Sequence, residues 1–433
     1  MKTCWCLLAG ACWLLLAAQA SAGDWPQFGG PDRDSVSKET GLLKSWPADG
    51  PKLLWTYNDA GIGHSGPAVV GEKLYTLGAK GDSEYLFAID VKGAGAGSIK
   101  PLWTTRVGPI FTWKVGKNRW GDGPRSTPTV DGELVFALGG MGDLLCVDAG
   151  SGSERWRKEL RKELGAVVND VGGSEKMIGW GFSWSPLVDG EQLICMPGGS
   201  QGTIAALDKK TGRVLWQSKE VTYTASYSSP IVAQIGGVRQ YIFATNEGVT
   251  GVAAADGRLL WHFDKDFSDV LCPTPIFHDG EVYVTAMGSG CELIKLTASG
   301  KKIKPTSVYR NRNMTNDHGG VLLVDGHLYG YSDGKGWICH EWKKPGKVIW
   351  RDKHLGKGSV TAADGSLYCY AEDDGTVVLA DASPAGWKQK GRFTIPQKSP
   401  SRKDDAKIWT HPVIAEGKLY LRDQELIFCY QVR

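Results

Sequence analysis

The stretch Ala205-Ala206-Leu207-Asp208-Lys209-Lys210-Thr211-Gly212-Arg213-Val214-Leu215-Trp216 decides the fold. A short apolar run meets a polar turn containing Gly212, and a second run ends on a large ring. That is an antiparallel hairpin, with glycine where the chain must reverse. The pattern recurs in Cys146-Val147-Asp148-Ala149-Gly150-Ser151-Gly152-Ser153-Glu154-Arg155-Trp156 and in Ala253-Ala254-Ala255-Asp256-Gly257-Arg258-Leu259-Leu260-Trp261. Self-similarity at a fixed period marks a repeat architecture.

Working outward, two further short runs precede each copy. The first begins at a small residue or proline followed by apolar residues, at Pro67, Pro128, Pro186, Pro230, Pro275, Val321, Val360 and Pro412. The second is a run such as Lys73-Leu74-Tyr75, Leu134-Val135-Phe136 or Val282-Tyr283-Val284. Four short strands per unit and eight units predict an all-β, eight-bladed β-propeller of four-stranded antiparallel blades, with seven blades as the alternative. A lone sheet of this kind cannot bury both faces, whereas blades stacked around an axis cover one another. The late rings Trp103, Trp156, Trp216, Trp261 and Trp350 are then wedge-fillers at the rim. The fifth copy has Ser307-Val308-Tyr309 instead, and the seventh has Trp387 followed by Arg392-Phe393-Thr394. The eighth unit runs out after three strands. Lys52-Leu53-Leu54-Trp55-Thr56-Tyr57 supplies the missing one, so that no sheet edge is left exposed.

Residues 1–22 read as an export signal, with Lys2, an apolar run and Ala20-Ser21-Ala22 as the cleavage site. The mature chain, residues 23–433, is expected to be one soluble domain, periplasmic or secreted. No later stretch approaches the roughly 20 apolar residues of a membrane span. Cleavage would remove Cys4, Cys6 and Cys12 of the ten cysteines. An odd, scattered remainder is not a disulfide framework, and no Cys/His spacing resembles a zinc site, so no metal is expected. The 50 Lys and Arg against 47 Asp and Glu exclude a nucleic-acid binder read from bulk charge.

The Asp-turn-Gly-strand-Trp copies resemble the repeat of the pyrroloquinoline-quinone (PQQ) dehydrogenase-like propellers, the quinoprotein alcohol dehydrogenase-like family. The opening Asp24-Trp25-Pro26-Gln27-Phe28-Gly29-Gly30-Pro31 resembles the start of planctomycete-type exported members. The resemblance covers essentially the whole mature chain. It implies either of two activities: PQQ-dependent oxidation of an alcohol or sugar, with Ca²⁺ beside the cofactor, or a cofactor-free propeller like the outer-membrane assembly lipoprotein. The large alcohol dehydrogenases of the family carry an adjacent Cys pair over the quinone. This chain has no adjacent Cys pair and no Cys-x-x-Cys-His haem motif.

In a propeller the loops entering the first strands share one face. Here they carry His64-Ser65, Arg125-Ser126, Trp184-Ser185, Tyr227-Ser228, Cys272, Asp317-His318, Lys357-Gly358-Ser359 and Trp409-Thr410-His411. Insertions at residues 109–123, 157–180 and 396–408 fall at the same level, which marks a binding face. Arg125, Trp184, Tyr227, Lys357 and Trp409 are the candidates for holding a ligand or cofactor at the axial mouth. Asp317, His318 and His411 are the candidates for acid/base chemistry. In the first insertion Trp113, Lys114, Lys117, Arg119 and Trp120 interleave cations with rings, a composition suited to an anionic or aromatic ligand. Residues 157–164, with i,i+4 charge spacing, read as a short surface helix.

The leading expectation is a monomeric, non-catalytic scaffold whose entry-loop face binds a protein partner or a small polar ligand. The alternative is a PQQ-dependent quinoprotein oxidoreductase with its cofactor at the axial mouth. A hydrolase or lyase working at the Asp317-His318/His411 ring comes third. The sequence leaves undecided whether residues 25–46 plug the axial channel.

Overall fold

The computed structural model describes residues 23–92, 99–113, 121–170, 179–267, 270–300, 302–344, 346–403 and 405–433. The export signal and the cluster Lys114, Lys117, Arg119 and Trp120 lie outside these. Eight sheets form, each of four consecutive antiparallel strands apart from two additions described below. Blade 1 comprises Ala68–Val70, Lys73–Lys80, Ser83–Asp90 and Pro101–Pro109. The first strands of blades 2 to 8 are Thr129–Asp131, Leu187–Asp189, Ile231–Ile235, Ile276–His278, Val321–Val324, Gly358–Ala363 and Val413–Ala415. The count is therefore eight, and the seven-bladed alternative falls.

Middle strands are almost wholly buried, because each blade is covered on both faces. One cluster joins Tyr75, Leu77 and Leu86 of blade 1 to Val135, Ala137 and Leu145 of blade 2. Each large apolar side chain buried this way contributes about 1.5–3 kcal/mol.

The rim explains the repeat. A Cβ added to Gly152 would lie 2.5 Å from the Trp103 ring, one on Gly212 2.7 Å from Trp156, and one on Gly257 2.3 Å from Trp216. In each pair the Trp closes one blade and the Gly turns the next. All three glycines have positive φ, and each ring also donates Nε1–H across the junction, to the carbonyls of Ala149, Lys209 and Ala254 at 3.2, 2.9 and 3.2 Å. The Gly is thus needed twice, for the left-handed turn and for the ring's approach. Trp261 departs from this. The hairpin of blade 5, Gly290–Ser299 with Lys302–Asn311, offers no such turn, and Trp261 bonds Gln240 of its own blade at 2.6 Å. In blade 7 Gly391 stands at the ring position, opposite Leu379 beside the bulge, and Trp46 of the N-terminal segment lies over it and packs edge-on against Phe393.

Blade 8 closes as its three strands require. Leu53–Tyr57 pairs antiparallel with Leu426–Gln431, in the register Leu53↔Tyr430, Trp55↔Cys429 and Tyr57↔Ile427. Arg422 secures the seam. Its fully buried guanidinium donates to the carbonyls of Ser65, Leu77, Gly61 and Gln424 and to Thr76 Oγ1, at 2.6–3.0 Å.

The N-terminal segment plugs the axis. Trp25 exchanges backbone hydrogen bonds with Val69 in blade 1, and Val130 in blade 2 donates to the Pro26 carbonyl. Arg33 donates to the Ser185 and Pro186 carbonyls of blade 3. Val36–Ser37 then runs parallel along Ala362 and Ala363 of blade 7, and Ser37 Oγ donates to Ile414 of blade 8. One short segment therefore touches the innermost strand of four blades and the loop entering that of a fifth. Residues 157–164 do not form the expected surface helix. Glu154–Glu159 is the outer strand of blade 2, and only Leu160–Glu163 makes a helical turn, because Leu160 and Leu164 bury in the core.

Candidate functional site

The entry loops are tied blade to blade by small hydroxyl residues. Thr127 N–H donates to Ser185 Oγ, Ser185 N–H to Ser229 Oγ, Ser228 Oγ to the Pro273 carbonyl and Ser359 Oγ to the Thr410 carbonyl. These bonds join the loops of blades 2 and 3, 3 and 4, 4 and 5, and 7 and 8.

The entry loops line a cavity of about 440 Å³, a size suited to a small molecule. Its wall holds Arg125, Tyr227, Asp317, His318, Lys357, Trp409 and His411, together with His64, Cys272 and Glu372. Trp25, Phe28, Gly29 and Ser35 of the N-terminal segment also line it. The segment therefore narrows the axial channel into a pocket. Trp184 does not take part. It is fully buried between blades in the hydrophobic core.

The chemistry centres on Asp317. Its Oδ2 lies 2.7 Å from Lys357 Nζ and 2.9 Å from His318 Nδ1, while Lys357 also reaches Asp333 at 2.9 Å. His318 stacks on Trp409 with centroids 4.2 Å apart, and His64 packs near the same indole at 4.8 Å. Burial alone would lower the His318 pKa, but the Asp317 charge and the adjacent Cys272 thiol outweigh it and carry the imidazole up to about 10. Asp317 shows the converse: burial would raise it, but His318 and Lys357 hold it well below the usual carboxylate range. His411 Nε2 lies 2.9 Å from the His318 carbonyl, which can only accept, so Nε2 carries the proton. Burial and the nearby His318 charge lower its pKa, which leaves it a neutral ring.

Arg125 is folded back onto its own loop. It donates to the Gly123 and Gly121 carbonyls at 3.0 and 3.1 Å and lies 4.8 Å from the Phe111 ring centre. Tyr227 Oη donates to Asn169 O and accepts from Trp180 N–H, so it anchors the second insertion as well as lining the cavity. Trp113 stacks flat on Trp180 at 4.1 Å, joining the first two insertions. Glu84 is a residue that sequence reasoning missed. It is fully buried, it accepts from Phe111 N–H and Gly140 N–H, and burial pushes its carboxyl up to about 7. Its position inside an apolar strand was the only available signal.

Cys272 and the pair Asp317-His318 enter on different loops, yet one donor atom from each lies within 4.8 Å of the others. Seven cysteines are free thiols among the described residues, and Cys272 alone of these is not buried. No helix among the described residues is long and apolar enough to cross a membrane.

The family model described as outer membrane protein assembly factor BamB matches residues 90–340. No curated protein sequence matches the chain. Among solved structures, BamB from Moraxella catarrhalis is similar at TM-score 0.57 and 13% identity, over 88% of this chain and 98% of that one. A europium-containing methanol dehydrogenase is similar at TM-score 0.65 and 12% identity, over 93% and 89%. The quinohemoprotein alcohol dehydrogenase from Comamonas testosteroni is similar at TM-score 0.60 and 12% identity, over 95% and 81%. At such identities these likenesses concern the fold.

Proposed function

The chain belongs to the PQQ-repeat propeller family whose model is described as outer membrane protein assembly factor BamB, and from that premise we propose that it is an exported, non-catalytic binding propeller. Its ligand is a small, flat, anionic molecule held in the axial cavity. The observation that carries this reading is the axial pocket whose wall the chain's own N-terminal segment helps to build. Arg125, Lys357, Lys407 and the His318 imidazolium outnumber Asp317 and Glu372 in the lining, and Trp409, Trp180 and Phe28 offer ring faces. Cations and aromatic faces together suit a planar anion.

The quinoprotein alternative draws on the same cations and rings, but its metal does not fit. Ca²⁺ takes about six to eight oxygen ligands. The donor cluster here is one thiol, one imidazole and one carboxylate, and that carboxylate already faces the Lys357 ammonium. No reaction step is therefore assigned to a quinone.

The test is a titration of the mature protein with PQQ as a planar tricarboxylate probe, followed by tryptophan fluorescence. Saturable quenching near one equivalent, indifferent to Ca²⁺ and weakened by Trp409→Leu, is the expected result. Calcium-dependent binding with dye-linked alcohol or sugar oxidation would replace this reading by the dehydrogenase. Absence of saturation at tens of micromolar would leave the entry-loop face to a protein partner.

A further inference from the structure

We propose that Cys272, Asp317 and His318 form a three-ligand site for a divalent transition-metal ion of borderline softness, with zinc the leading ion and a fourth position open to the axial cavity. The inference goes beyond the ligand proposed above and shares its cavity: a bound ion would replace the His318 imidazolium as the positive charge on that wall. Zinc is bound by Cys sulfur, His nitrogen and Asp oxygen at about 2.0–2.3 Å, and three protein ligands with one open position is its reactive arrangement. Here the three donor types come from two entry loops and already lie within 4.8 Å of one another.

A second observation is independent of that clustering. Asp317 Oδ1 is buried without a hydrogen-bond partner, on a side chain only 6% exposed. The other oxygen, Oδ2, already meets Lys357 Nζ and His318 Nδ1. A buried carboxylate oxygen left bare is costly unless something else meets it. A cation would satisfy it.

The surrounding charges fit the same reading. Lys357 binds Asp317 through Oδ2, which leaves Oδ1 for the metal, and its ammonium keeps a second carboxylate, Asp333, at 2.9 Å. A thiolate and a carboxylate balance a divalent ion, and Lys357 stays balanced by Asp333. Lys357 and Asp333 then orient the ligating carboxylate, the usual work of groups behind a metal ligand. Binding releases the Cys272 and His318 protons. Sequence spacing could not reveal the site, because Cys272 and the Asp317-His318 pair enter on different loops and meet only when the ring closes.

The experiment titrates metal-stripped mature protein with Co²⁺ alone and records its absorption. The expected result is saturation at one equivalent with a thiolate-to-cobalt charge-transfer band, displaced by Zn²⁺. Cys272→Ser should abolish that band, and Asp317→Asn should weaken binding at least tenfold. The thermal transition checks that each variant folds. A measurement on the unaltered protein covers the case in which they do not: Zn²⁺ should slow alkylation of Cys272 by iodoacetamide at least tenfold. Non-stoichiometric binding, a cobalt spectrum without the sulfur band, or alkylation indifferent to Zn²⁺ would overturn the proposal. Rapid alkylation regardless of metal would identify the cluster as a thiol–imidazole pair instead.

Discussion

The rim and the axis of this propeller are built on opposite rules. At the rim one contact is repeated, with a closing Trp over a turning Gly across the first three blade junctions. At the axis nothing repeats. Equivalent positions carry His64, Arg125, Ser183, Tyr227, Cys272, Asp317, Lys357 and Trp409, in loops tied to one another by serine and threonine hydroxyls. Repetition therefore marks what the fold requires, and departure from it at one level marks where a ligand can be recognised. The two regions meet at the N-terminal segment, which supplies a rim strand at Leu53–Tyr57 and part of the axial wall at Trp25 and Phe28.

The largest expected effect breaks both regions together. Deleting residues 23–57 removes the last strand of blade 8 and the plug, and it should abolish soluble expression. A truncated protein that kept its thermal transition would show that closure is not needed.

Arg422→Leu comes next. It leaves four carbonyls at the blade 8–blade 1 seam without their donor, and the loss of a buried, hydrogen-bonded charge costs about 3–5 kcal/mol. The denaturant midpoint should fall accordingly. A change within about 0.5 kcal/mol would mean that the seam relaxes around the gap.

A pair of glycine variants sharpens the rim half of the comparison. Gly212 and Gly300 share a positive φ, but only Gly212 lies under a ring, whereas a Cβ on Gly300 would have nothing within 4 Å. Gly300→Ala should cost about 1 kcal/mol for backbone strain alone. Gly212→Ala should cost about 1–3 kcal/mol more, because Trp156 must move. Equal losses would remove the latch from the explanation.

The axis is tested through pH. His318 is carried above its unfolded value near 6.5 to about 10. Its contribution to stability is therefore complete below about pH 6.5 and is lost as pH rises through 10. Asp317 is held below its ordinary range, so its share is present above about pH 4 and is lost as pH falls below that. In metal-stripped protein, thermal midpoints should accordingly decline on the alkaline side between pH 6.5 and 10, and His318→Gln should flatten that decline. An unchanged alkaline slope in the variant would assign the decline to other groups.

The same contrast explains what could be read from the sequence. Blade number, strand order and closure were legible because Gly152, Gly212 and Gly257 and their paired Trp residues recur in a fixed local frame. Most of the cavity lining was legible by place, since the entry loops had to share a face. Trp184 shows the cost of a one-residue slip: three residues before Pro186 stands Ser183, which lines the cavity, while Trp184 packs in the core between blades. The N-terminal part of the axial wall was not legible, because Trp25 and Phe28 reach it through backbone pairing with strands distant in sequence. Arg422 and Glu84 were hidden for a related reason. Each is a lone charge within an apolar strand, and only the carbonyls and N–H groups brought by other blades explain it.

The central claim is that the axial pocket, walled in part by the chain's own N-terminal segment, is a binding site for a planar anion. Its most direct test is calorimetric titration of the mature protein with PQQ, with and without Ca²⁺. The account predicts saturable, calcium-independent binding near one equivalent. No binding at tens of micromolar, with the protein folded, would contradict it.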